Sequence, residues 1–150
     1  SYRLMAEDTV DKAIEVCGLP KRKCVTKKFR IHGYRKNPDL TDHMYVYGSD
    51  EPKILRLIEQ EPALGEKLSQ KFGYTLAEVV WAVREEMAIT LEDVLARRVR
   101  MLFVDAREAM AAAPKAAAVM ARELGRDQAW IDEQVKSFTD LAKNYIFEQK

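Results

Sequence analysis

The alternation of apolar and polar residues has the spacing of helices over most of the chain. Near the N-terminus, apolar or small residues fall on one helical face: Tyr2, Met5, Thr9, Ala13 and Val16. This pattern predicts a first helix that ends near Cys17, because Gly18 favours the conformation just past a helix end and Pro20 prevents continuation. Since the helix already begins at Tyr2 and Ser1 is not an initiator methionine, we expect the chain to be part of a larger protein.

The helical spacing is lost between residues 20 and 48. Gly33 and Pro38 interrupt this segment. We predict an irregular connection that contains a short strand over Val25–Ile31 and one helical turn over Leu40–Tyr45.

Helical spacing returns after Gly48. Ser49 or Asp50 is a suitable N-cap for the next helix, which Pro62 ends. The apolar positions of this helix are Ile54, Leu55 and Ile58. A short helical turn is then expected over Ala63–Gln70.

A capping box predicts the following helix. Thr75 precedes Glu78 by three residues, so each side chain can accept a hydrogen bond from an unpaired backbone N–H of the other residue. The helix is predicted over Leu76–Ala88.

A second, less complete capping box starts a longer helix. Thr90 and Asp93 have the same spacing, and the apolar pattern after them predicts one continuous helix that reaches Ala112. Pro114 fits the first position of a further helix, where its missing N–H would be unpaired in any case, and Gly125 ends that helix.

The last helix is predicted to begin after Asp127, a favourable N-cap. Its apolar stripe comprises Trp130, Ile131, Phe138, Leu141, Ala142 and Tyr145. The whole pattern predicts an all-α fold, a single compact multi-helix bundle of about six helices with one irregular basic segment, residues 20–48.

Composition is that of a soluble globular protein. Apolar residues make up 47% and charged residues 33%, which excludes a disordered tail and a low-complexity segment. No apolar run approaches the roughly 20 residues that a membrane span needs, and no signal-peptide pattern opens the chain. We therefore expect a cytoplasmic protein, or one that is peripheral on the cytoplasmic side of a membrane.

The formal net charge is only +1, but one segment is strongly basic. The basic block, as we call it, comprises Lys21, Arg22, Lys23, Lys27, Lys28, Arg30, Arg35 and Lys36. Such a run of cations needs either solvent or a complementary surface. A nucleic-acid-binding module would place it on phosphates, but Phe29 and Tyr34 are its only aromatic residues and no recognition helix accompanies it. We expect no nucleic-acid partner.

The residue patterns of known catalytic and metal sites are missing. The six glycines never lie within two residues of one another, so neither a dinucleotide fingerprint nor a P-loop is present. Cys17 and Cys24 have the spacing of neither a metal knuckle nor a redox pair, and His32 and His43 are isolated. We expect no catalytic residue, no metal and no bound cofactor in this chain.

Two charged residues fall within the apolar face of the predicted long helix. Arg98 and Asp105 share that face with Leu95 and Leu102. Because burying an unpaired charge is costly, each should meet an opposite charge. If the two neighbouring helices form an antiparallel hairpin, Glu86 lies at the level toward which Arg98 leans. We predict a structural Glu86–Arg98 pair, with a ligand or partner contact as the alternative.

Trp81 lies on the opposite side of its helix from the predicted core positions Val79, Val80, Val83 and Met87. An exposed tryptophan would mark a docking surface. A second layer of the same bundle that covers it is the alternative.

Several stretches resemble the C-terminal helical domain of FAD-dependent glycerol-3-phosphate dehydrogenases and alpha-glycerophosphate oxidases. The most specific reads Glu-Glu-Met-Ala at 85–88, then Glu-Asp-Val-Leu-Ala-Arg-Arg at 92–98. Tyr47-Gly48-Ser49 resembles the internal turn of that domain, Tyr2-Arg3 with Met5-Ala6-Glu7 its opening helix, and residues 114–138 its last helices. Ile89 and Val99 depart from the pattern, which commonly has a basic residue and a threonine there.

The resemblance implies a larger parent enzyme that oxidises sn-glycerol 3-phosphate to dihydroxyacetone phosphate at FAD and passes electrons to a membrane quinone. It implies that the catalytic chemistry belongs to an N-terminal FAD domain, the expected partner of this chain. The candidate docking or lipid surface comprises Lys21, Arg22, Lys23, Lys27, Lys28, Arg30 and Trp81. A free-standing helical adaptor is the remaining alternative.

Overall fold

The computed structural model describes residues 1–147. Its contacts divide into two units, Ser1–Lys36 and Asn37–Lys150. All regular elements among the described residues are helices, apart from an isolated antiparallel bridge between Lys67 and Thr75. The all-α prediction is therefore confirmed.

The first unit consists of helix α1, Tyr2–Val16, and an irregular continuation. The predicted end of the helix is confirmed, because Gly18 takes a φ of +62° and Leu19 N donates to Ile14 O at 2.9 Å. No residue of α1 is buried within its unit.

The predicted strand over Val25–Ile31 is wrong. The segment forms turns, and Lys28 N donates to Val25 O at 3.2 Å. A strand needs a neighbouring strand to satisfy its backbone, and this unit contains none among its described residues.

The second unit contains the helical bundle. Its α-helices are α2, Glu51–Gln60; α3, Leu76–Glu85; α4, Met101–Val104; α5, Ala106–Leu124; and α6, Gln128–Lys143. Two 3₁₀ helices cover His43–Asp50 and Pro62–Gly65, and a π-helical turn covers Asp93–Arg98. The 3₁₀ helix at His43–Asp50 stands where one turn was predicted over Leu40–Tyr45, and the Oδ1 of Asp42 caps it by accepting from Met44 N at 2.9 Å.

The core lies where α5 packs against α3 and α6. Alanines line the buried face of α5 and allow close approach of the neighbouring helices: Ala109, Ala112, Ala113, Ala116 and Ala117. Val79 and Val80 of α3 are fully buried opposite them. This contact removes the apolar faces of the three helices from water.

The predicted long helix up to Ala112 is wrong. Arg100 has a φ of +56°, which interrupts the helix after the π-helical turn. Asp105 is extended and starts α5, with its Oδ1 accepting from Arg107 N and Glu108 N at 3.1 Å each. Two breaks therefore divide the predicted helix, because a side chain that caps two backbone donors favours a new start over continuation.

Pro114 lies inside α5 and does not begin a helix, contrary to the prediction. The start at Asp105 places Pro114 in the third turn, where it leaves the carbonyl of Met110 without its usual i+4 donor. The predicted end at Gly125 is confirmed by a φ of +64°. The predicted N-cap at Asp127 is also confirmed, since its Oδ1 accepts from Trp130 N at 2.9 Å.

The capping box at the start of α3 is confirmed, with Thr75 N donating to Glu78 Oε2 at 2.7 Å. The helix ends at Glu85, three residues before the predicted end. Met87 adopts a φ of +58° and is 85% exposed, so its assignment to the core face is wrong. Among the described residues, none of the helices is both long and apolar enough to span a bilayer.

Candidate functional site beside a buried glutamate

The structure brings Glu86 and Arg98 together. Nε of Arg98 lies 3.1 Å from Oε2 of Glu86, and Nη2 of the same arginine donates to the backbone carbonyl of Glu86. Both side chains keep about a third of their exposure, 31% for Arg98 and 28% for Glu86. Partial burial raises the pKa of Glu86, against the opposing charge of Arg98 and a hydrogen bond from Trp81.

Asp105 does not lie on a buried apolar face, because the helix that would have placed it there is broken. Its carboxylate caps α5 and also accepts from Nζ of Lys71 at 2.9 Å. The lysine and the capping N–H groups hold the pKa of Asp105 below its usual value. Asp105 is therefore a capping and surface-pairing residue, apart from the Glu86–Arg98 pair.

Trp81 belongs to the core and not to a docking surface. It is 8% exposed, so the second of the two sequence-based alternatives describes it. Nζ of Lys53 lies 5.7 Å from the centre of its ring.

The eight cations of the basic block are all exposed in the first unit. Three of them line a groove in that unit together with carboxylates of α1: Lys21, Arg22 and Lys23 with Asp8, Asp11 and Glu15. The block thus has a partial complement on the neighbouring helix. Ten cations against four carboxylates still give Ser1–Lys36 a formal charge of +6, while fifteen against twenty give the remaining residues −5.

Glu78 is a buried carboxylate that connects two elements of the second unit. It was not predicted as a site residue from the sequence. Glu78 is 1% exposed, and its Oε1 accepts from the hydroxyl of Tyr47 at 3.1 Å. Its Oε2 lies 3.1 Å from Nε2 of His43 and accepts from the backbone and hydroxyl of Thr75. One glutamate therefore joins the 3₁₀ helix at His43–Asp50 to the start of α3.

His43 is not the isolated residue that its sequence neighbours suggested. The hydrogen bond with Glu78 and the charges of Glu78 and Asp42 raise the pKa of His43, against its partial burial. Its ring meets the edge of Tyr74 at 5.2 Å between centroids. It also rests on Gly73, where a Cβ would lie 2.6 Å from Nδ1 of His43. His43 and Glu78 are 35 residues apart in the sequence, and the only signal that could have indicated their contact was the capping box that contains Glu78.

Beside this cluster lies an open cavity of about 330 Å³. Its lining is formed by His43, Tyr45, Val46, Tyr47, Tyr74, Arg98, Val99, Arg100, Phe103 and Val104. The lining has two arginines, a histidine and three tyrosines but no carboxylate. Such a surface binds negative groups by hydrogen bonds and charge, and it presents no cysteine, serine or threonine as a nucleophile.

Metal binding finds no support in the part of the chain that the structure describes. No group of three or more histidine, cysteine, aspartate or glutamate side chains is arranged there to hold an ion. Cys17 and Cys24 are both free thiols.

Comparison with known proteins matches this chain to one family. The model of the C-terminal domain of alpha-glycerophosphate oxidase matches residues 24–131. These residues include five of the eight cations of the basic block, from Lys27 to Lys36, as well as the Glu78 cluster and the Glu86–Arg98 pair. No solved structure gives a significant match.

Curated relatives extend the match over nearly the whole chain. The probable mitochondrial glycerol-3-phosphate dehydrogenases of Caenorhabditis elegans and Dictyostelium discoideum are 32% and 28% identical over 97% of this chain. Glycerol-3-phosphate dehydrogenase 2 of Mycobacterium tuberculosis is 27% identical over 99%. The chain spans 22%, 25% and 28% of the lengths of these three proteins. The chain therefore belongs to the family of C-terminal domains represented by that of alpha-glycerophosphate oxidase.

Proposed function

We propose that this chain is the non-catalytic C-terminal domain of an FAD-dependent glycerol-3-phosphate dehydrogenase. The intact parent would oxidise sn-glycerol 3-phosphate to dihydroxyacetone phosphate and pass the two electrons to quinone at the cytoplasmic side of a membrane. The observation that carries the proposal is the family match over residues 24–131, together with relatives that are about four times longer than the chain.

The residues of this chain do not fit FAD. A pyrophosphate is usually held by closely spaced glycines at a helix N-terminus, and the glycines here are too far apart to form such a loop. The cavity beside Tyr74 has no flavin-binding motif and lies within the C-terminal family domain itself. The flavin chemistry thus belongs to the N-terminal FAD domain, and this chain supplies surfaces that support it.

The first unit is the proposed docking element. Most of its large apolar side chains are more than 40% exposed, including Tyr2, Val16, Phe29 and Ile31, and they accompany a formal charge of +6. Apolar side chains of this number are normally covered in a finished protein. We favour the N-terminal FAD domain as the cover, through an acidic rim that faces the basic block. Anionic lipid near the quinone pool and plain solvent are the competing partners of the block.

Charge reversal in the intact enzyme distinguishes these partners. Lys21, Lys23, Lys27 and Lys28 are changed together to glutamate, and the matched control changes the same four to arginine. If the FAD domain is the partner, the reversal separates the domains in limited proteolysis or small-angle scattering, and the arginine variant does not. Loss of vesicle binding with unchanged flavin reduction would instead identify anionic lipid as the partner of the basic block. If both properties survive, the block is a solvated surface and docking through it is wrong.

Two other functions have weaker support. A nucleic-acid-binding module would use the exposed basic block, but the groove shared with Asp8, Asp11 and Glu15 reduces its field on phosphates. The helical fold is compatible with a free-standing adaptor, but a relative of which the chain spans only 22% favours a domain of a larger protein. Retention of the chain on heparin at physiological salt would favour the first alternative.

A further inference from the structure

Arg100 is an unusual residue at the mouth of the cavity beside Tyr74. It is exposed, and no carboxylate pairs with its guanidinium in the described part of the chain. Its backbone φ of +56° is unfavourable for a residue with a Cβ. Residues held in sparsely populated backbone conformations cluster at active sites and ligand clamps.

Neutral donors face the same cavity. The hydroxyls of Tyr45 and Tyr74 have no hydrogen-bond partner among residues 1–147, whereas the hydroxyl of Tyr47 is already used by Glu78. Arg98 also lines the cavity, but its Nε and Nη2 are held by Glu86. The donors at the site that neither Glu86 nor Glu78 uses include the guanidinium of Arg100 and two phenols, which all favour a negatively charged or strongly accepting group.

The remaining wall of the cavity is apolar. Val99 is buried, while Val46, Phe103 and Val104 are 63%, 55% and 66% exposed at its rim. A volume of about 330 Å³ is at the lower end of pockets that hold small organic ligands. An apolar or aromatic body would cover these side chains and remove them from water.

We propose that this cavity binds a small organic anion, in which a phosphate or carboxylate group contacts Arg100 and an apolar or aromatic body packs on Phe103 and Val104. The proposal does not depend on the proposed function. Recognition requires both parts of the ligand. An anion without an apolar body would contact only Arg100, whose charge is screened by solvent, and an apolar body without a charge would pack only on a wall that is open to water.

The test uses 1-naphthyl phosphate, which carries a phosphate on an aromatic body, and the 150-residue chain. Isothermal titration calorimetry is expected to give one site. Amide chemical shifts in heteronuclear NMR are expected to change at Tyr74, Val99, Arg100 and Phe103. Removing the charge contact by Arg100→Gln should weaken binding about tenfold, as for the loss of one hydrogen bond to a charged group. Arg100→Lys keeps the charge and should retain most of the affinity.

Three controls make the outcome specific. Arg56→Gln removes an exposed arginine of α2 that does not line the cavity, and it should leave binding unchanged. 1-Naphthol lacks the anion and inorganic phosphate lacks the body, so each should bind at least about tenfold more weakly than 1-naphthyl phosphate. Circular dichroism of each variant verifies that the fold is retained.

Several results would overturn the proposal. Absence of binding, or equal binding of 1-naphthol, would mean that the cavity does not select an anion. Equal binding of inorganic phosphate would mean that the apolar wall takes no part. Shift changes confined to the basic block, or equal effects of Arg100→Gln and Arg56→Gln, would place the interaction elsewhere on the surface.

Discussion

Arg98 reaches across from the π-helical turn to Glu86, with 3.1 Å between Nε and Oε2, and so ties the turn to the residue that follows α3. The same guanidinium donates to the backbone carbonyl of Glu86. One side chain thus satisfies both a carboxylate and a helix-end carbonyl, which otherwise lacks an intrahelical donor.

Replacing Arg98 by alanine should destabilise the second unit by about 1–3 kcal/mol, between the effects of exposed and fully buried pairs. The expectation is intermediate because the side chain of Arg98 is 31% exposed. Urea unfolding followed by fluorescence of Trp81 and Trp130 measures it. Arg97→Ala is the matched control, since Arg97 pairs with Glu92 and Asp93 at an exposed position. An equal loss in the two variants would contradict a structural role for the Glu86–Arg98 pair.

The N-cap of α5 gives a second prediction. Asp105→Ala removes the acceptor of two backbone N–H groups and should cost about 1–2 kcal/mol of unfolding free energy. Asp105→Asn keeps a good cap but loses the ionic contact with Lys71, so its cost should be clearly smaller. Chemical denaturation of both variants compares the two contributions. If the Asp105→Asn and Asp105→Ala variants lose the same unfolding free energy, the contact with Lys71 stabilises this helix start and the cap does not.

Stability should depend on pH through His43. Its pKa in the folded chain is raised, first by the hydrogen bond with Glu78, so the protonated form is favoured by folding. The stabilisation is complete below the ordinary histidine value of 6.5 and is lost as the pH rises through the raised folded value. The unfolding free energy should therefore fall as the pH is raised from 6 through the neutral range. The slope of this fall should correspond to the titration of about one group.

His43→Gln should flatten that pH dependence, whereas His32→Gln, at an exposed position of the first unit, should keep it. Denaturant midpoints at a series of pH values test both variants. The pairing of His43 with Glu78 would be contradicted if the slope persisted unchanged without His43.

Flavin binding provides a prediction for the domain assignment. The chain expressed alone and mixed with FAD should elute from gel filtration without flavin absorbance, because it has no loop that can hold a pyrophosphate. A chain that carries one FAD per molecule would overturn the assignment of the cofactor to the N-terminal FAD domain.

Local signals predicted much of the helical architecture. The Thr75–Glu78 and Thr90–Asp93 boxes, Gly18, Gly125 and Asp127 each act on backbone groups within a few residues, and the structure has them as predicted. The prediction of one long helix was wrong because a local signal at Asp105 had two interpretations. Asp105 is both a plausible helix-face residue and a strong N-cap, and only the packed structure decides between these roles.

The cluster around Glu78 could not be read from the sequence in the same way. His43 and Glu78 are 35 residues apart, and no periodicity connects a 3₁₀ helix to the start of an α-helix. Trp81 was ambiguous because helix geometry gives the direction of a side chain but not what covers it. Long-range contacts of this kind depend on how elements pack, which a single sequence does not encode locally.

The unequal distribution of charge has a practical consequence for handling the chain. A formal charge of +1 suggests a protein that neither ion exchanger retains, yet one unit carries +6 and the other residues carry −5. Resins respond to the charge of the patch that touches them, so the chain should adsorb to a cation exchanger through residues 1–36 and to an anion exchanger through the remainder. Low salt should also promote association between oppositely charged regions of different molecules, and moderate salt should disperse them.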